Sequence, residues 1–135
     1  MSLHLKIVTP EKVALDEPVD MVTLTSSDGE LGILPHHANL MAKLEPGELR
    51  IKKGGRVEVL ATGDGFIQVA DNILTILTDL AVNETDIDEK AVEDAKKRAE
   101  QALEQKLSDE EYAETLAILE KSLVQLRIKR RHRVR

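Results

Sequence analysis

The chain has 135 residues, one domain's worth or one small domain with an appendage, and is 41% hydrophobic and 33% charged with a formal net charge of −6. It holds one Phe, one Tyr, no Trp and no Cys, so the core must be aliphatic, stacking platforms for single-stranded nucleic acid are lacking, and disulfides, thiolate metal sites and a cysteine nucleophile are excluded. No window reaches the ~20 apolar residues of a membrane span and the opening MSLHLKIVTPEK lacks a secretory apolar run, so a soluble chain is expected.

Apolar residues first alternate in short runs: Leu3, Leu5 and Ile7; Met21 to Leu24; Leu49 and Ile51; Val57 and Val59; Ile67 and Val69; then a denser Ile73 to Leu77. Such runs predict strands. Gly54 and Gly55 in KKGGR suit the positive φ of a two-residue hairpin loop, and Asp64-Gly65 precedes another strand. Gly29, Gly32, Gly54, Gly55, Gly63 and Gly65 read as turn and bulge positions, since no phosphate-loop motif surrounds them. Pro10, Pro18, Pro35 and Pro46 fall at run boundaries, where a missing N–H costs least. Many short strands at close spacing predict an antiparallel β-sandwich over residues 1–83.

From Ile87 the period changes to about 3.6. Ala91, Ala95, Ala99, Ala102 and Leu103 share one helical face, and Tyr112, Leu116, Leu119, Leu123 and Leu126 share another. In KLSDEEY, Ser108 and Glu111 form a capping box that starts the second helix. Asp86, Asp88 and Glu89 open the first helix and Arg and Lys close the second, both complementing the macrodipole. The expected architecture is α+β: a sandwich over 1–83, a hinge at 84–86 and a two-helix hairpin over 87–135. An alanine stripe buries little area per residue, so the hairpin is expected to be held modestly and its Leu face is a candidate two-state element.

Charge is unevenly spread. Residues 1–83 carry 7 Lys and Arg against 12 Asp and Glu, residues 84–126 carry 6 against 13, and residues 127–135 carry 6 against none. The basic tip, Arg127, Lys129, Arg130, Arg131, Arg133 and Arg135, is partner-directed or a solvated helix end. Nucleic acid is a poor third reading for it, because the rest of the chain is acidic. Within SDGELGILPHHANL, His36 and His37 fit a metal poorly, as neighbours on an extended segment point apart and no third ligand is near in sequence. No nucleophile or paired carboxylate can be singled out beside them, so no catalytic residue is assigned. A protein-interface role is favoured over solvated loop histidines.

The full ordered set, LKIVTPEKV, the block GELGILPHHANLMAKLEPGELRI, GFIQV after a Gly turn and an Ile-Asp pair opening two helices, resembles the epsilon-subunit family of bacterial F-type ATP synthases, whose mitochondrial counterpart is the delta subunit. The resemblance implies a non-catalytic rotor component, peripheral at the cytoplasmic face of the bacterial membrane. It implies that the sandwich binds the gamma subunit and the polar loops of the c-ring, with Glu30, His36 and His37 in that region. It also implies that the helices either fold up or extend along gamma into the alpha/beta hexamer, where they inhibit ATP hydrolysis. The basic tip is then expected to favour the extended form.

Some relatives bind ATP through an Ile-Asp-x-x-Arg-Ala motif. Here Ile87 and Asp88 match, but Ala91 and Val92 stand in the next two motif places, and Lys121 and Gln125 stand where ATP-binding relatives carry two Arg. A triphosphate asks for cationic forks, so a weak regulatory ATP is expected only if Arg98, Lys121 or Arg127 substitutes, and no cofactor is required. The competing readings are an adaptor that pairs through the hairpin and basic tip, and a small metal-binding or catalytic sandwich using the two histidines.

Overall fold

The computed structural model describes residues 2–132. The first compact unit ends at Asn83 and contains ten strands: β1 Leu3–Val8, β2 Val13–Val19, β3 Met21–Ser26, β4 Gly29–Ile33, β5 Leu40–Leu44, β6 Gly47–Lys53, β7 Arg56–Thr62, β8 Gly65–Ala70, β9 Ile73–Thr78 and β10 Ala81–Asn83. The hydrogen-bonded order is β10-β7-β6-β3-β5-β8-β9-β1-β2, with β4 added on β3. All pairs are antiparallel except β1 with β9, which run parallel.

The two layers of this sandwich diverge at β3, which pairs with β6 over Met21 to Thr23 but meets β5 only at Ser26, opposite Leu44. Between them lies the expected aliphatic core: Leu3, Leu5, Ile7, Leu24, Ile33, Leu44, Leu49, Ile51, Ile67, Leu74 and Ile76 are all fully buried. Alternation explains this, because residues two apart on a strand share a face. On the far edge Lys53 of β6 closes the structure, its Nζ lying 2.6 Å from Glu17 Oε1 of β2 and 3.2 Å from Glu58 Oε1 of β7.

Two hairpins use left-handed pairs. Gly54 and Gly55 (φ 57° and 82°) join β6 to β7, as expected, and Asp71 and Asn72 (φ 51° and 62°) join β8 to β9 without glycine. Asx residues tolerate that region. One proline departs from expectation: Pro18 lies inside β2, opposite His4. Because β2 is an edge strand, the missing N–H removes no ladder bond on its open side.

The second unit begins at Glu84. A 3-10 turn, Glu84–Asp86, leads into α1, Glu89–Leu103, and then α2, Asp109–Arg131. Asp88 caps α1 by accepting from the Ala91 N–H at 3.1 Å, and Ser108 and Glu111 make the capping box. The Ser108 backbone N–H, followed by its hydroxyl, holds the Glu111 carboxyl below its ordinary range.

The helical faces depart from the expected stripes. On α1 Ala91 is exposed and the face begins at the half-buried Val92, with Ala99 the fully buried position. On α2 Tyr112 and Leu123 of the expected Leu stripe are exposed, Leu116 and Leu119 are half-buried, and burial concentrates at Ser122, Val124, Leu126 and Ile128. Residues two apart on a helix lie on nearly opposite sides, so α2 has no single apolar stripe.

Candidate functional site

Glu30, His36 and His37 are set by the two ends of β4. Glu30 lies near its start, opposite Thr25, with its carboxylate 3.5 Å from Arg50 Nη2; Arg50 Nη1 also donates to Glu48 at 3.0 Å. The histidines follow the strand's other end. His36 takes φ 63°, and its N–H donates to Asn72 Oδ1 at 2.7 Å. Asn72 Nδ2 in turn donates to the Ser2 carbonyl at 2.7 Å, so the β8–β9 hairpin pins both the loop and the N-terminal strand. The His37 N–H donates to the Leu34 carbonyl at 3.2 Å, and its ring Nδ1 donates to the Ala38 carbonyl at 2.7 Å. A carbonyl can only accept, so that bond places the hydrogen on Nδ1. At about 3.3 Å per residue, β4 separates Glu30 from its end by roughly 10 Å, so these residues mark two ends of a rim rather than one cluster. Among the described residues no group of three or more His, Asp or Glu side chains could hold a metal.

Sequence reading missed the outer face of the second layer. Phe66 stands opposite Lys43 on β5 and Leu77 on β9; Leu77 stands opposite Val8 on β1, and Val8 opposite Val13 on β2. Residues opposite one another project to the same side, so Phe66, Leu77 and Val8 make an apolar row across three strands, continued on β5 by Met41, while the irregularity between Ile7 and Val8 breaks the register before Val13. Phe66 is 63% exposed, Leu77 50%, Val13 51% and Met41, beside Lys43, 77%. Cavities flank the row: about 250 Å³ lined by Met41, Ala42, Lys43, Phe66 and Ile67, and about 380 Å³ whose lining includes Val8, Pro10, Asp64, Leu77 and Asp79. A contiguous apolar surface rimmed by polar groups marks a place where another molecule sits. The chain's one Phe is spent there rather than in the core.

The nucleotide candidates all fall in the helical unit. Ile87 is buried and Asp88 is the α1 cap. Arg98 lines a cavity of about 220 Å³ with Ala95, Ala99, Ala102, Thr115 and Ile118. Lys121 is half-buried and Arg127 exposed. The groove that contains Arg130 is lined by Glu89, Glu93 and Asp94 as well as Lys90 and Lys97, a mixture that offers a triphosphate no net attraction. Of the basic tip, Lys129 and Arg130 are ion-paired to Glu84, Glu89 and Glu93, while Arg133 and Arg135 lie outside the described residues.

Comparison with known proteins bears on the whole chain. The family described as ATP synthase, Delta/Epsilon chain, beta-sandwich domain matches residues 2–84, and that described as ATP synthase, Delta/Epsilon chain, long alpha-helix domain matches residues 85–130. The chain belongs to the ATP synthase delta/epsilon family. The ATP synthase epsilon chain of Herpetosiphon aurantiacus is 41% identical over 135 residues, spanning 100% of this chain and 99% of its own length. That of Chloroflexus aggregans is 41% identical over 135 residues, spanning 100% and 97%. Among solved structures, a chain of the Euglena gracilis mitochondrial ATP synthase superposes with a TM-score of 0.70 at 27% identity, over 88% of this chain and 76% of its own. One from the Tetrahymena thermophila mitochondrial enzyme shares the fold at a TM-score of 0.60 and 19% identity, over 93% and 95%. As a delta/epsilon chain it is a non-catalytic subunit, and no helix among its described residues is long and apolar enough to cross a membrane.

Proposed function

We propose that the chain is a rotor subunit of the central stalk of an F-type ATP synthase, held peripherally at the cytoplasmic face of the bacterial membrane. In this reading residues 1–83 attach to the gamma subunit and to the c-ring loops and so couple their rotation. Residues 87–135, beyond the short 84–86 turn, act as a brake that inhibits ATP hydrolysis when the helices extend into the alpha/beta hexamer. The observation that carries it is the apolar row of Met41, Phe66 and Leu77 on a sandwich whose core is otherwise satisfied: torque transfer needs a stiff body with a surface that a partner covers. Glu30, His36 and His37 then belong to the rim of the same attachment. Nucleotide is a weak effector or none, since Asp88 is already used as a cap and Arg130 is surrounded by carboxylates.

The test is direct binding of the purified chain to the gamma subunit. Replacing Phe66 and Leu77 by Asp places charge at the centre of the row without touching the core. Anchors of this kind are worth at least ~2 kcal/mol, so binding should weaken at least about 30-fold. Unchanged binding would remove the attachment half of the proposal. Truncation after Thr85 should retain binding and relieve inhibition of hydrolysis in the reconstituted complex.

A further inference from the structure

Charges of both signs converge at the open end of the hairpin. Glu84, in the 3-10 turn, is 5% exposed. Lys129 Nζ donates to the Glu84 carbonyl oxygen at 3.2 Å and lies 3.7 Å from its carboxylate Oε2. One residue on, Arg130 Nη2 donates to Glu93 Oε2 at 2.8 Å, and its Nε lies 3.7 Å from Glu89 Oε2. Two consecutive cations in the last turn of α2 thus take three carboxylates from the 3-10 turn and the first two turns of α1, from 37 to 45 residues away in the chain.

We infer that Lys129 and Arg130, with Glu84, Glu89 and Glu93, form an electrostatic latch that holds the two helices together, so that opening of the hairpin is governed by ionic strength and by the charge of these side chains. Exposed pairs are individually weak, but these three break together. If α1, with 15 residues, and α2, with 23, opened into one rod, a rise of about 1.5 Å per residue would carry the charges tens of ångströms apart. That is several times the Debye length of ~8 Å at physiological salt. Apolar burial on α1 is small, since Ala99 is its one buried residue, so on that helix the charges add to a modest contact.

The sign differs from that expected of the basic tip as a whole. Lys129 and Arg130 favour the closed hairpin rather than the opened one. This consequence for hydrolysis rests on the brake reading above; the latch itself does not.

The experiment is amide hydrogen exchange of the full-length chain, read at residues 92–99 of α1 so that fraying of the α2 end does not intrude. Arg130→Glu should raise exchange there about five-fold, the effect of several coupled surface pairs lost together. The swap Arg130→Glu with Glu93→Arg should return it to within about two-fold of the starting chain. Raising NaCl from ~0.02 M to ~0.5 M should also raise exchange in the starting chain, since the screening length falls several-fold. Exchange that ignores Arg130→Glu, or that the swap fails to restore, would overturn the latch. If exchange follows the expected pattern while hydrolysis by the reconstituted complex ignores Arg130→Glu, the latch stands and the brake reading falls.

Discussion

Gly65 carries a constraint that differs from the turn role its sequence suggests. It opens β8 with ordinary φ, opposite Thr78 on one side and Leu44 on the other. An added Cβ would overlap the carbonyl oxygen of Leu77, which is backbone and cannot swing away as a side chain does. Gly65→Ala must therefore push β8 off β9, and overpacking of this kind costs about 1–3 kcal/mol. Urea unfolding should register that loss, and a variant as stable as the starting chain would mean that the strand pair shifts freely. The strain would fall one residue from Phe66, so the substitution should also blunt the apolar row. His36 is a second case in which backbone geometry outweighs side-chain chemistry. Its left-handed φ is held by the bond from its own N–H to Asn72, leaving the imidazole exposed on a fixed loop.

Among the elements, β6 closes the sandwich through Lys53. Hydrogen bonds to Glu17 and then Glu58 raise the ammonium pKa above its ordinary value of 10.5. A raised folded-state value means that the stabilisation is complete below about 10.5 and is lost as pH climbs through the raised value. Lys53→Met should remove this dependence. Thermal midpoints followed from pH 8 to 12 should fall more steeply for the starting chain than for the variant, and parallel curves would show that the closure contributes nothing.

The strands of the core were legible in the sequence because one face is buried and the period of two is strict, as in Leu3, Leu5 and Ile7. Four others, β2, β4, β5 and β10, were not. In β2, VALDEPV, no residue is fully buried until Val19, so the pattern is faint, and β10 has only three residues. The apolar row was also within reach. With Ile67, Val69, Leu74 and Ile76 inward, Phe66, Ile73 and Leu77 are apolar on the phase that should be polar. The helical stripes failed for another reason. Alanine spacing locates a helix, but small side chains leave open which face is covered, so Val92 rather than Ala91 begins the contact on α1. The pairs from Lys129 and Arg130 to Glu84, Glu89 and Glu93 lie too far apart in sequence for any local pattern to announce them.

At the scale of the whole molecule, the two compact units rely on different forces. The sandwich offers its partner an apolar row, whose burial is driven by water release and responds weakly to moderate salt. The hairpin is held at its open end by charges that, apart from the buried Glu84, are exposed or half-exposed, and their attraction falls as the Debye length shrinks. Ionic strength should therefore separate attachment from braking without any mutation. Between ~0.02 M and ~0.5 M NaCl, affinity for the gamma subunit should change less than about three-fold, while exchange at residues 92–99 rises. The Phe66 and Leu77 double Asp variant should lose attachment at every salt and keep the exchange response, whereas Arg130→Glu should keep attachment and lose most of that response. If both variants altered both readouts, the halves would act as one body and the division of labour at residue 84 would fail. Each substitution acts within its own unit, one on the outward face of β8 and β9 and the other in the last turn of α2, so the two readouts test the two units separately.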